Sequence, residues 1–208
     1  MGHAGETYVA TVNDDLIEGG DGDDRIFVRG GGDIVFAGGG DDYVEAFGGG
    51  GKDVLHGQGG NDHLLVVSDG KFNELDGGAG DDLLQAYAPL SVIRGGEGDD
   101  YFVLDGRSVG SRIVDGEGSN ALLVLSDVDL RYHRNGDDLF IHFDQNLAYQ
   151  PDQDIVWLDF FGQEGNSVNR LGAAEIAALV GEPGTSDPGG ASTPGGPPTP
   201  GTVEAPLL

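Results

Sequence analysis

Gly77-Gly78-Ala79-Gly80-Asp81-Asp82-Leu83-Leu84-Gln85 and Gly95-Gly96-Glu97-Gly98-Asp99-Asp100-Tyr101-Phe102-Val103 are two versions of one nine-residue phrase. Gly19-Gly20-Asp21-Gly22-Asp23-Asp24-Arg25-Ile26-Phe27 and Gly57-Gln58-Gly59-Gly60-Asn61-Asp62-His63-Leu64-Leu65 repeat it. The shared form is G-G-x-G-x-D-x-U-x, with U apolar. Sliding it along the chain gives twelve units, starting at 10, 19, 28, 37, 48, 57, 68, 77, 86, 95, 106 and 115. Three two-residue insertions, 46–47, 66–67 and 104–105, keep the phase. The eighth position then reads Ile17, Ile26, Val35, Val44, Leu55, Leu64, Leu75, Leu84, Ile93, Phe102, Ile113 and Leu122, apolar throughout. A fixed short period of this kind is the signature of a solenoid.

The unit dictates a shape. Its Gly-rich six residues can take positive φ and turn tightly. Its last three, centred on the apolar residue, make a short strand. Two units complete one coil, so alternate units fall in opposite sheets with a thin apolar core between them. The expected fold is all-β: a parallel β-roll, a right-handed two-sheet solenoid. Six coils at ~4.8 Å per rung give a rod of roughly 29 Å.

Composition narrows the rest. Forty of 208 residues are Gly, Cys is absent, and acids outnumber bases 37 to 10, for a net charge of −27. No disulfide or Cys-based metal site is possible. A basic surface for nucleic acid is lacking, and no apolar run reaches the ~18 residues of a membrane span. The segment from Met1 to Glu6 has no basic or apolar region of a cleaved leader. So acidic a chain needs cations, a cationic partner, or no fold at all.

The sixth position of the units reads Asp15, Asp24, Asp33, Asp42, Asp53, Asp62, Asn73, Asp82, Ser91, Asp100, Ser111 and Asn120. In a roll these side chains stack at about 5 Å. Neighbouring carboxylates at that distance repel by about 0.8 kcal/mol in water and about 3 kcal/mol at an effective dielectric of 20. A hard divalent cation between loops reverses the sign. Calcium takes six to eight oxygens at about 2.3–2.6 Å, which carboxylates and bare loop carbonyls can supply. Magnesium demands stricter octahedral geometry and keeps its waters, and softer metals prefer His or Cys.

These units resemble the calcium-binding nonapeptides of RTX (repeats-in-toxin) proteins, over residues 10–123. The resemblance implies several Ca2+ ions, each between two loops on the same side of the roll. Position-six carboxylates and loop carbonyls would bind them. It also implies export by a one-step type I secretion machinery of a Gram-negative bacterium, through an uncleaved C-terminal signal.

Alternate loops form two unequal sides. One side keeps Gly at position four (Gly22, Gly40, Gly60, Gly80, Gly98, Gly118) and carries Asp24, Asp42, Asp62, Asp82, Asp100 and Asn120. Gly20, Gly78 and Gly96 precede these at position two. The other side begins with Asp15, Asp33 and Asp53, then decays to Asn73, Ser91 and Ser111, with Pro89 and Val109 in place of the fourth Gly. Loop counting gives about five ions on the first side and two or three on the second.

Residues 1–9 read as a lead-in. From about 124 the period is lost. Asp129–Arg134 and Asp138–Phe143 read as strands around an Asn135-Gly136 turn, with another strand at Ile155–Phe161 and a short helix at Ala173–Val180. Residues 124–180 are expected to cap the roll, covering its last strand edges, with Trp157, Phe160 and Phe161 in the cap core. Residues 181–208, rich in Pro and Gly, read as a disordered tail.

No catalytic set emerges. Gly106-Arg107-Ser108-Val109-Gly110 matches G-x-S-x-G, but a nucleophile elbow needs a strand before it and a helix after it. Gly51-Lys52-Asp53 lacks the Ser/Thr and first Gly of a phosphate loop. The five His (His3, His56, His63, His133, His142) show no ligand spacing, and no Thr lies between Thr11 and Thr185 for an ordered ice-binding array. The expectation is a secreted, non-enzymatic calcium-binding module that folds on meeting extracellular calcium. The alternative is a polysaccharide-binding or adhesin module of a larger type I secreted protein or enzyme, meeting an extracellular polysaccharide or a cell surface. A row of exposed aromatic or basic residues on one strand face would favour sugar binding, and Phe27, Arg29, Tyr43, Arg94 and Tyr101 are too few to decide for it.

Overall fold

The computed structural model describes residues 5–48, 50–70, 72–115, 117–126, 130–143, 154–158, 160, 162 and 166–171. The strands in chain order are β1 (Thr7–Val9), β2 (Leu16–Glu18), β3 (Arg25–Val28), β4 (Ile34–Gly39), β5 (Tyr43–Phe47), β6 (Val54–Gly59), β7 (His63–Val67), β8 (Glu74–Ala79) and β9 (Leu83–Tyr87). After them come β10 (Val92–Glu97), β11 (Tyr101–Asp105), β12 (Arg112–Val114), β13 (Ala121–Leu125), β14 (Arg131–Asn135), β15 (Asp138–His142), β16 (Ile155–Leu158) and β17 (Ser167–Leu171). Among the described residues there is no helix.

Odd strands form one sheet, β1-β3-β5-β7-β9-β11-β13-β17, and the even strands to β12 lie in the other, β14-β15-β16-β12-β10-β8-β6-β4-β2. Pairing within the roll is parallel. The eighth-position residues align rung on rung: Ile26 with Val44, Val44 with Leu64, Leu64 with Leu84, Leu84 with Phe102 and Phe102 with Leu122. Opposite them run Ile17, Val35, Leu55, Leu75, Ile93 and Ile113. From Ile26 to Leu122 every one of these side chains is 0% exposed. The chain is therefore a parallel β-roll of about six turns, and its core is these two facing ladders. Alternation along each strand sends the seventh and ninth residues outward, and most of those are half-buried or exposed.

The sheets run further than the nonapeptide spacing. Tyr8 of β1 pairs with Ile26, and Glu6 and Tyr8 occupy the sixth and eighth places of a unit one period upstream of the first. Beyond residue 123, β16 and β17 each add a parallel strand: Trp157 continues the ladder from Ile113, and Val168 from Leu122. The β14–β15 hairpin turns through Gly136 at φ +67° and pairs antiparallel with β16, ending that sheet. Trp157 is fully buried, edge-on to Phe102 (5.4 Å) and to Phe160 (4.9 Å). The helix expected at 173–180, the tail at 181–208, Phe161 and His3 lie outside the described residues.

Candidate metal centre

The sixth residue of each unit sits where a loop enters its strand, so its side chain projects inward along the line of loops. Asp24, Asp42, Asp62, Asp82, Asp100 and Asn120, with Asp33 and Asp53 opposite, each accept a backbone N–H from the rung before. Asp24 N–H donates to Asp42 Oδ1 (2.7 Å), Asp42 N–H to Asp62 Oδ1 (2.8 Å), Asp62 N–H to Asp82 Oδ1 (2.7 Å) and Asp82 N–H to Asp100 Oδ1 (2.9 Å). The series begins with Glu6 N–H on Asp24 and ends with Asp100 N–H on Asn120 Oδ1 and Asn120 N–H on Asn166 Oδ1. On the other side Asp15 N–H reaches Asp33 and Asp33 N–H reaches Asp53.

One oxygen of these carboxylates is thereby used, and in five of them the second is not. Among the described residues, Oδ2 of Asp33, Asp42, Asp62, Asp82 and Asp100 is buried without a hydrogen-bond partner. Each parent residue is 1–2% exposed. Buried carboxylate oxygens left unsatisfied cost several kcal/mol apiece unless neutralised. Burial pushes the carboxyls of Asp42 and Asp53 up to about 6, Asp62 and Asp100 up to about 7, and Asp82 up to about 8. Asp33 is raised for the same reason. The N–H bond from the preceding rung pulls each back down, and neighbouring acids push upward again; for Asp100 the largest such push comes from Asp115.

The unused oxygens of Asp62, Asp82 and Asp100 point into cradles of glycine backbone. A Cβ added to Gly57 would stand 2.1 Å from Asp62 Oδ2 and 2.5 Å from the Gly77 carbonyl oxygen on the next rung. At Gly77 the same point is 2.1 Å from Asp82 Oδ2 and 2.7 Å from the Gly95 oxygen. Glycine there keeps open a space lined by a carboxylate and a carbonyl. The fourth-position glycines have a different reason: Gly40, Gly60, Gly80 and Gly98 have φ between +113° and +130°. Gly78 and Gly96, at position two, have φ of +112° and +114°. Among the described residues no three His, Asp or Glu side chains converge on one point. A cation held here would draw the rest of its shell from loop carbonyls, which would suit a hard oxygen-seeking ion.

The model of the RTX calcium-binding nonapeptide repeat matches residues 9–44, 46–65, 68–88 and 91–106, in four copies. The chain carries an RTX calcium-binding repeat array. Comparison with curated proteins found no match. Among solved structures, the extracellular lipase LipA from Serratia marcescens is similar at 19% identity, over 76% of this chain and 38% of the lipase chain, with a TM-score of 0.22. This chain thus spans well under half of that protein's length.

The two sides of the RTX array differ in what meets the loop carbonyls. Asn73 accepts the Asp53 N–H through Oδ1 (2.9 Å), as an Asp would, but its Nδ2 donates to the Gly70 carbonyl (3.4 Å). Ser91 Oγ donates to the Ala88 carbonyl (3.1 Å) and Ser111 Oγ accepts the Ser91 N–H (3.0 Å). At these rungs a neutral donor closes the loop. Leu90, beside Pro89, takes φ +58°, so the loop there is of another type. Asp24 and Asp15 differ in another way: Gly20 N–H donates to Asp24 Oδ2 (2.8 Å), and the Thr11 N–H and hydroxyl both donate to Asp15 Oδ2 (2.8 and 2.7 Å). Gly22 is buried at the fourth place of the Asp24 loop.

A second ladder, unforeseen from sequence, runs in the opposite direction at position five. Asp41 N–H donates to Asp23 Oδ1, Asn61 N–H to Asp41, Asp81 N–H to Asn61 and Asp99 N–H to Asp81, at 2.8–3.0 Å. Its only sequence signal is the Asp/Asn before each position-six residue. Ser108 of the G-x-S-x-G match is fully buried, and its hydroxyl donates to the Ala86 carbonyl (2.5 Å) while accepting the Asp105 N–H (3.1 Å). His56 stacks on Phe36 (5.0 Å), His63 bonds Gln85 (2.6 Å), and His142 Nδ1 meets Asp154 (2.8 Å), both buried.

Proposed function

We propose that this chain is a secreted, non-enzymatic module in which calcium closes the roll after export. The observation that carries this reading is the row of buried, unpartnered Oδ2 atoms on Asp33, Asp42, Asp62, Asp82 and Asp100. Without a cation these acids must be protonated or must force the loops apart. Bound calcium supplies the missing positive charge and joins each loop to the next. Asp24, Asp42, Asp62, Asp82, Asp100 and Asn120, with carbonyls of the Gly20–Gly22, Gly40, Gly60, Gly78–Gly80 and Gly96–Gly98 loops, form the richer side. Asp15, Asp33 and Asp53 form the shorter one. About five and two or three ions follow by loop counting. Sites in the range of extracellular modules, about 10⁻⁴–10⁻³ M, stay empty in a low-calcium cytosol, which keeps the chain extended for a type I channel.

Circular dichroism tests this. The chain should be largely unstructured in chelator and gain strand signal at millimolar calcium, with much less gain in magnesium. A fully folded chain in chelator at neutral pH ends the proposal.

The alternative, a polysaccharide-binding face, draws support from one feature: Phe27, Tyr43 and His63 touch in succession on the outer face of the odd-strand sheet (6.0 and 4.9 Å). Their contacts are tilted or edge-on, and the Tyr43 hydroxyl and His63 ring nitrogen already bond Glu45 and Gln85. This favours packing over sugar stacking. Calcium-dependent binding on a glycan array would reverse that preference.

A further inference from the structure

We infer that Asp115 is a calcium ligand outside the repeat motif, contributed by the last unit to the site of Asp100. This rests on the calcium reading above. Asp115 occupies the first place of its unit, where the loops on the same side have Gly19, Ala37, Gly57, Gly77 and Gly95. Those residues have no side chain, or only a methyl group, to reach the preceding loop. Asp115 has one, and it is 7% exposed.

Its position is fixed from two directions. Asp115 Oδ1 accepts the N–H of Gly96 on the preceding rung (3.0 Å). Gly96 adjoins Gly95, whose added Cβ would stand 1.9 Å from Asp100 Oδ2. The Asp115 carboxylate therefore lies one residue along the loop from the cradle into which the unpartnered, 98%-buried Asp100 side chain points, close enough for its charge to push the Asp100 carboxyl upward. Asp115 Oδ2 receives the amide of Asn120, which also donates to the Glu117 carbonyl (2.6 Å).

The exchange has a chemical logic. Along this side the sixth residue is Asp in five units and Asn in the last, Asn120. An amide in place of a carboxylate removes a unit of negative charge from the final site. Asp115 returns that charge from the first position, and Asn120 orients it. Two carboxylates, Asp100 and Asp115, then face one ion, as two successive position-six acids do further up the roll. Calcium affinity follows the number of charged ligands, so this end site keeps its strength although the motif lapses.

Native mass spectrometry and calorimetric titration with calcium alone decide the matter. The parent chain is compared with Asp115→Gly, which restores the motif residue, and with Asp115→Asn, which keeps the side-chain volume if the glycine variant fails to fold. Each should bind one ion fewer than the parent. The double variant Asp115→Gly/Asn120→Asp, which moves the carboxylate back to position six, should regain that ion. A purely structural role for Asp115 predicts the parent's ion count in folded Asp115→Asn, and that result overturns the inference while leaving the calcium reading intact. Failure of the double variant to regain the ion while folded also overturns it. A parent chain that binds no calcium overturns both.

Discussion

The backbone N–H of Asp62 donates to Asp82 Oδ1 at 2.7 Å, while Asp82 Oδ2, on the same carboxylate, is buried with no hydrogen-bond partner. One group thus performs two tasks. Its first oxygen ties adjacent rungs, and its second is left over for a cation. Substituting any such residue removes both.

Asp62→Ala should therefore harm more than one site. It leaves the Asp42 N–H unpaired, at a cost of about 1–3 kcal/mol, and removes a charged ligand. The calcium midpoint for folding should rise and cooperativity fall. Ser91→Ala, on the opposite side, loses one neutral bond to Ala88, worth about 0.5–1.5 kcal/mol, with little change in calcium dependence. Calorimetric titration of both against the parent checks this; equal losses would mean that both sides bind ions alike.

Acid should partly replace calcium. The carboxyls of Asp42, Asp53, Asp62, Asp82 and Asp100 are raised in the folded chain to about 6–8 from an unfolded value of 3.8. The folded state then binds more protons than the unfolded state, so ion-free stability is full below the unfolded value and is lost as pH rises through about 6–8. In chelator, strand signal should grow from pH 8 to pH 5. With calcium the dependence inverts, because protons compete for the same oxygens and the midpoint rises on acidification. Circular dichroism titrations at several pH values measure both slopes.

Asn73→Asp should make the second side more demanding. The substitution removes the Nδ2 donor to Gly70 and adds a buried carboxylate below Asp53. Strand content in chelator should fall, and the calcium response should become steeper. Unchanged behaviour would show that the loop around Asn73 excludes ions for another reason.

Gln58 holds φ +80° at a place where the matching loops have Gly38, Gly78 and Gly96 at positive φ. A left-handed backbone costs a non-glycine residue about 1–2 kcal/mol. Gln58→Gly should raise the melting temperature in saturating calcium, as scanning calorimetry would show.

Trp157→Ala opens the end of the core. The ring is fully buried against Phe102 and Phe160 and continues the ladder from Ile113. Removing it should cost about 3–5 kcal/mol and raise the calcium needed to fold. If the midpoint stays where it was, the C-terminal strands do not stabilise the roll.

The roll was legible in the sequence because a nine-residue period is local: each unit carries its own turn glycines and its own inward residue, so the apolar eighth positions from Ile17 to Leu122 named the core one by one. The acids from Asp24 to Asp100 named the candidate site by the same means. What spacing could not reveal was direction and completion. Which oxygen of Asp82 is tied and which is left over depends on the tilt of one rung against the next. The pairing of Asn73 with the Asp53 N–H and the place of Asp115 depend on contacts across 19–20 residues of chain. Glu6 and Tyr8 had the right phase but too little motif to be read as a unit. Trp157 and Val168 extend the ladders with no motif at all, because a parallel strand edge accepts any extended apolar segment that meets its hydrogen bonds. Period fixed the rungs; only stacking them decided where the charges meet.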